Sequence, residues 1–259
     1  MDKRNQKIII ITGAGSGIGR ATAVRLAKDG YSIGLIGRRA VNLRETEKII
    51  RKINPNVVYK VADVRKRDQI FDAVKYINKI LQGELVGVVA AAGIGGSNKF
   101  GKGDRWDNVM ETNLYGTYFT FLSALEFMKK DNKPKQLIAI SSLLAKIGVK
   151  NYTAYCASKS GILGLVRSLA ISLADNQIRV NAICPGWVDT KMSNKSMKKS
   201  AVLNHMTYEE TKAKALSIVP LQRMSSPEEI AGLSSFLFSE EGIGFTGQSF
   251  DISNGSWMY

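Results

Sequence analysis

Histidine is almost missing from this 259-residue chain: it occurs once, beside two cysteines and five prolines. The lone His205 has no second ligand near it in sequence, so no metal centre is expected. Cys156 and Cys184 lack CxxC spacing, which argues against zinc and redox motifs and points to free thiols in a reducing, cytoplasmic compartment. No run of about eighteen uninterrupted apolar residues is present, so no membrane span is expected. The polar start, residues 1–7, leads straight into Ile8-Ile9-Ile10-Ile11 without the apolar segment and cleavage site of a secretory leader. Linkers rich in proline, glycine or serine, internal repeats and low-complexity runs are missing too. With 44% hydrophobic residues, one domain over 1–259 with a large core is the expected organisation.

Acids are the other scarcity, with 22 Asp and Glu against 37 Lys and Arg and a net charge of +15. Such a balance favours anionic partners. A solvated, lysine-rich surface accounts for it most simply; a phosphorylated cofactor or substrate, or nucleic acid, is the alternative. Zinc-finger, RNP-like and helix-turn-helix signatures are absent, so no nucleic-acid partner is expected.

What is present is a regular alternation of short apolar runs and amphipathic stretches. Strands are expected at Ile8–Thr12, Ser32–Ile36, Val57–Val61, Leu85–Ala91, Leu137–Ile140, Ile178–Ile183 and Ser249–Ile252. Helices are expected at Ile18–Asp29, Val41–Ile53, Arg67–Leu81, Trp106–Lys130, Tyr152–Ala174 and Pro227–Ser239. Gly30, Asn54-Pro55 and Gln82-Gly83 supply stops. Ser226 is a candidate N-cap, with Glu228 and Glu229 in the first turn. The basic stretch 192–216 lacks strand signals and is expected to form a partly helical flap, about 190–217. The repeated β-α-β order predicts an α/β fold: a single Rossmann-like, doubly wound parallel sheet with helices on both faces.

The first strand ends in Thr12-Gly13-Ala14-Gly15-Ser16-Gly17-Ile18-Gly19 and opens a helix. There the chain must turn tightly and approach a pyrophosphate, so side chains are unwelcome, while the helix N-terminus offers free N–H groups. A glycine-rich turn alone is also a common structural device; the flanking strand and helix favour a dinucleotide. The second strand ends in Gly37-Arg38-Arg39, without the acid that would pair the ribose hydroxyls of NAD. A guanidinium binds a 2′-phosphate, so NADP(H) is expected over NAD(H), unless the arginines only solvate a helix start. Asp63-Val64 follows the third strand; an Asp there is equally an ordinary turn residue.

Tyr155 and Lys159 stand four apart on an expected helix and share a face. An ammonium beside a phenol favours the phenolate, which brings proton exchange nearer neutral pH. By itself such a pair is equally a surface helix contact. Here it follows Ser141-Ser142 at the end of the fifth strand and Asn113 in the preceding helix. Asn181-Ala182-Ile183-Cys184-Pro185-Gly186-Trp187-Val188-Asp189-Thr190, Pro227-Glu228-Glu229-Ile230-Ala231 and Thr246-Gly247-Gln248 come later. In this order and spacing, from Ile8 to Gly255, the chain resembles the short-chain dehydrogenases/reductases, whose turn has the form TGxxxGxG.

The resemblance implies a reversible NADP(H)-dependent reduction of a ketone or 3-oxoacyl substrate. Tyr155 would exchange the proton, Ser142 would bind the same oxygen, Lys159 would lower the tyrosine pKa and bind the nicotinamide ribose, and Asn113 would hold a water linking Lys159 to solvent. It places the cofactor against Gly13, Gly15, Ser16, Gly17, Ile18, Gly19, Arg38, Arg39, Asp63, Val64, Ala92, Gly93, Tyr155, Lys159, Pro185, Gly186, Val188 and Thr190, with Asp63 at the adenine. It also implies a homo-oligomer, dimer or tetramer. The chain departs from the family at Ala90-Ala91-Ala92-Gly93, where Asn-Asn-Ala-Gly is usual, which bears on rigidity more than on chemistry. Ile171 stands where acyl-carrier reductases of the family carry a docking arginine. Trp187, Met206 and Tyr208 are candidates for a substrate pocket. The lysines of the flap (Lys191, Lys195, Lys198, Lys199, Lys212, Lys214) suit an acidic or thioester substrate or a solvated surface. A different class of function, a dinucleotide sensor or nucleic-acid-associated binding protein on the same fold, would not need the proton donor.

Overall fold

In the computed structural model residues 6–131 and 133–258 are described; the polar start at 1–5, part of the segment on which the absence of a leader was argued, lies outside them. Seven parallel strands form one sheet in the order β3-β2-β1-β4-β5-β6-β7. They are β1 (Lys7–Thr12), β2 (Ser32–Gly37), β3 (Val57–Val61), β4 (Glu84–Ala90), β5 (Lys135–Ile140), β6 (Ile178–Pro185) and β7 (Ser249–Ile252). The isoleucines of β1 show why parallel strands carry unbroken apolar runs. Side chains alternate faces, so Ile8 and Ile10 join one core while Ile9 and Ile11 join the other. The first core packs helices α3 (Arg67–Leu81), α5 (Gly116–Leu125) and α6 (Thr153–Ser172) through Ile70, Val74, Phe121, Ile162 and Val166. The second packs α1 (Gly17–Lys28), α2 (Ala40–Arg51) and α9 (Pro227–Phe238) through Ala23, Leu26, Leu43, Ile50, Ile230 and Leu237. This is the expected doubly wound α/β sheet.

One expectation needs correction, and one is sharpened. The single helix over Trp106–Lys130 is instead α4 (Trp106–Met110), one π-helical turn (Glu111–Tyr115) and α5, which ends at Leu125. Three threonine hydroxyls donate back to carbonyls four residues earlier, Thr112 to Asn108, Thr117 to Asn113 and Thr120 to Gly116. Such bonds compete with the helix ladder and deform it. Gly116 meanwhile lets the backbone close on Val64, whose Cγ2 would lie 2.7 Å from an added Cβ. The stretch 192–216 is also more regular than expected: α7 (Lys191–Leu203) and α8 (Tyr208–Ser217) flank a turn at His205. Thr190 caps α7, and Thr207 with Glu210 forms a capping box on α8. Ser226 caps α9 as expected, again with a capping box through Glu229.

Winding reverses between β1 and β4, which pair with Thr12 opposite Ala90. The carboxyl ends of these strands open the crevice in which sheets of this kind bind ligands.

Candidate active site

The glycine turn is shaped by contacts that exclude side chains. A Cβ on Gly13, where φ is +69°, would come 2.7 Å from the Ala92 nitrogen, and one on Gly19 would come 2.5 Å from the Gly13 oxygen. Gly13 therefore lies directly on the chain leaving β4, where Thr12 Oγ1 also accepts from the Ala92 N–H at 3.4 Å. These contacts brace the Ala90-Ala91-Ala92 segment that lacks the usual asparagines. Ser16 is the N-cap residue of α1 but makes no side-chain capping bond, so the first-turn amides of α1 are not capped from within.

A groove of about 230 Å³ runs past Gly13, Gly15, Ser16, Gly17, Ile18, Gly19, Arg38, Arg39, Val64, Ala92, Gly93 and Thr190. Neither Arg38 nor Arg39 has an ion-pair partner among the described residues. Asp63 does not line this groove. Its carboxylate accepts from Arg65 Nη2 at 2.7 Å and Nε at 3.0 Å, and the guanidinium holds its pKa below the usual value. A larger hollow of about 700 Å³, between α1, α2 and the start of α9, shares only the glycine turn and its neighbours. Its arginines are already paired, Arg20 with Glu45 and Arg25 with Asp29, and it holds none of the Ser, Tyr or Lys groups expected to react.

Continuing along the crevice, a pocket of about 110 Å³ is lined by Ile18, Gly93, Ser142, Tyr155, Lys159, Pro185, Gly186, Val188, Thr190 and Met192. Three of the four expected reacting groups, Ser142, Tyr155 and Lys159, meet around it. Ser142 lies two residues past the end of β5 and caps a short 3₁₀ turn (Leu143–Ala145) by accepting from the Leu144 N–H. Its side chain also lies close enough to the Tyr155 hydroxyl to favour the phenolate. Lys159 Nζ lies 5.7 Å from the Tyr155 ring centroid and donates to the Ile140 carbonyl at 2.8 Å. Burial pulls its pKa from 10.5 down to about 8. The direction at Tyr155 differs from the sequence expectation: burial raises the phenol above its ordinary value, and the Ser142 side chain opposes this only in part.

Asn113, on the π-helical turn, is fully buried and lines neither space. Its Oδ1 accepts from the Ile94 N–H at 2.9 Å, and its Nδ2 donates to the Ile94 oxygen and to Ser158 Oγ, each at 3.1 Å. The amide thus clamps the loop after Gly93; both Nδ2 protons are used, so the side chain has only acceptor capacity left for a water.

Sequence reasoning missed three supports. Ser158 joins Asn113 to the Tyr155 carbonyl; it shares the Tyr155 helix face at i+3, a signal that was available. Ser141 Oγ donates to the Lys159 carbonyl at 2.9 Å. Met192 Sδ would lie 3.2 Å from a Cβ on Gly95, over the pocket, and nothing in the sequence marks it. Trp187, Met206 and Tyr208 line neither space; Tyr208 instead donates to Asn194 Oδ1 at 2.9 Å, with Lys198 over its ring. Tyr152, without a lysine four residues on, hydrogen-bonds Ser196 Oγ at 3.0 Å and stands edge-on to the Tyr155 ring. No group of three or more His, Cys, Asp or Glu among the described residues could hold a metal ion, and no described helix is long and apolar enough to cross a membrane.

A glycine cradle under an open helix N-terminus, running into a largely buried Ser-Tyr-Lys cluster at the switch point of a parallel sheet, defines a nicotinamide-dinucleotide oxidoreductase acting on CH–OH/C=O groups. A family model described as Enoyl-(Acyl carrier protein) reductase matches residues 13–256, and the chain belongs to the short-chain dehydrogenase/reductase family. It is 34% identical to the 3-oxoacyl-[acyl-carrier-protein] reductase FabG of Thermotoga maritima, over 96% of this chain and 97% of that one. It is 29% identical to the (3R)-3-hydroxyacyl-CoA dehydrogenase of Canis lupus familiaris, over 97% and 96%. A crystal structure of an actinorhodin polyketide ketoreductase with NADPH superposes with a TM-score of 0.93 at 29% identity, covering 98% of both chains.

Proposed function

We propose that the protein reduces a ketone or 3-oxoacyl substrate with NADPH, Tyr155 giving the proton. The observation that carries this reading is the meeting of Ser142, Tyr155 and Lys159 around one pocket at the end of the glycine-lined groove. When bound, the dinucleotide supplies a hydride to the carbonyl carbon. The chain's residues do the rest. Ser142 hydrogen-bonds the carbonyl oxygen and orients it towards the Tyr155 hydroxyl. Burial keeps that hydroxyl protonated at neutral pH, as a proton donor must be. Lys159 holds the nicotinamide ribose and offsets the negative charge that develops on Tyr155 as its proton leaves. The relatives named for 3-oxoacyl and 3-hydroxyacyl thioesters favour an acyl substrate. The exposed Ile171, in place of a docking arginine, argues against a carrier-protein partner held at that point.

Preference for NADPH rests on Arg38 and Arg39, exposed beside the groove with no acid at the end of β2. The Arg38→Ala/Arg39→Ala variant is expected to bind NADPH about 10–100-fold more weakly, the loss of one or two charge-assisted bonds, with NADH affinity unchanged. Fluorescence titration with both dinucleotides checks this. Equal loss for both, or wild-type protein that prefers NADH, contradicts the coenzyme assignment and leaves the carbonyl chemistry standing.

A further inference from the structure

The turn that carries Ser142 is held at both ends. At its start the Ser141 N–H donates to the Ile183 carbonyl at 2.7 Å, and the Ser141 hydroxyl donates to the Lys159 carbonyl. The thiol of Cys184, in β6, lies against the Ser141 side chain and the Ser142 backbone. At its far end Lys146 donates its backbone N–H to Leu143 and reaches across to β7, where its ammonium meets Asp251 Oδ2 at 2.7 Å. Asp251 is the register partner of Cys184. Ser142, Lys146, Asp251 and Cys184 therefore close a ring through the end of β5, the 3₁₀ turn, β7 and β6.

The ion pair in this ring is unusual for the molecule. Its side chains are 10% and 14% exposed, whereas every other ion pair closer than 3.5 Å among the described residues has a partner more than a quarter exposed. Two buried charges gain little net stability over an apolar pair of similar size, but they fix relative position sharply. From this arrangement we infer that Lys146 and Asp251 are positioning residues, which use the last strand of the sheet to set Ser142 against Tyr155. The inference rests on the proposed role of Ser142.

The test is a double-mutant cycle with Ser142. Asp251→Asn is expected to lower kcat roughly tenfold, since small misplacements of a reacting group have effects of that order or larger. KM for the dinucleotide should change much less than kcat, because the ring touches no residue lining the glycine groove and meets Lys159 only at its backbone carbonyl. In a Ser142→Ala background the same change should lower kcat less than about twofold, since residues acting through one group are not additive. Lys146→Met/Asp251→Leu removes both charges, which avoids a lone buried ion if Asp251→Asn folds poorly, and it should show the same dependence on Ser142. Lys135 provides a control: it is buried at the amino end of β5, the far end of that strand from Ser142, and bound to Asp131, so Lys135→Met should lower Tm with kcat unchanged. Equal loss of kcat with and without Ser142, or wild-type kcat in both Asp251 variants well below their Tm, overturns the inference. Wild-type kcat in Ser142→Ala alone overturns the reading of Ser142 itself.

Discussion

Replacing Tyr155 by phenylalanine is expected to lower kcat by about 10²–10⁴-fold, the usual contribution of a placed general acid. The substitution removes one oxygen and keeps the ring, so the edge-on contact with Tyr152 and the approach of the Lys159 ammonium both persist. The groove along the glycine turn is untouched, so dinucleotide affinity should hold. Only the polar approach of the hydroxyl to Ser142 is lost, at most about 1 kcal/mol, which corresponds to a Tm shift of no more than roughly 2–4 °C in a chain of this size. Steady-state kinetics beside a dinucleotide titration and a melting curve separate the three quantities. A Phe variant that keeps its turnover would remove Tyr155 from the chemistry.

Lys159→Met is expected to do two opposite things: abolish turnover and stabilise the protein without its cofactor at pH 7. Lys159 is 4% exposed, and its pKa falls from 10.5 to about 8. Because the folded state binds this proton less tightly than the unfolded state, charge at Lys159 destabilises the fold. That destabilisation is complete below about pH 8, shrinks as pH rises from about 8 to 10.5, and is gone above the unfolded value. The gap corresponds to about 3 kcal/mol, offset by about 1 kcal/mol or more for the hydrogen bond to Ile140 that methionine cannot make. A net gain of roughly 1–2 kcal/mol at pH 7, fading as the solution is made alkaline, is the expected melting behaviour. A functional group kept at a cost to stability is common at active sites. A variant less stable than the parent at pH 7, or a gain that grows with pH, would contradict the burial argument.

Much of this site could be found in the sequence because its demands are local. A turn pressed onto neighbouring backbone needs glycine at 13 and 19, a shared helix face needs the spacing of Tyr155 and Lys159, and a capped helix needs a pattern such as Ser226 with Glu229. What escaped depends on contacts distant in the chain. The π-helical turn at Glu111–Tyr115 is invisible in a continuous amphipathic stretch. It follows from threonine back-bonding, the approach of Gly116 to Val64 and the grip of Asn113 on Ile94. The acidity of Tyr155 was expected to follow its lysine neighbour; burial, which spacing does not report, sets the direction instead. Asp63 occupied the expected strand end, but Arg65 two residues later claims its carboxylate. Met192, over the pocket, comes from a helix whose position against the loop after β4 no local pattern encodes.

The most direct measurement is NADPH oxidation, followed at its absorbance band, with short 3-oxoacyl thioesters and cyclic ketones, and NADH run alongside. Turnover of at least one carbonyl, faster with NADPH at limiting dinucleotide, is the expected result. Dinucleotide that binds but is consumed with no carbonyl of either kind, and forms with none of the corresponding alcohols in reverse, would contradict the account.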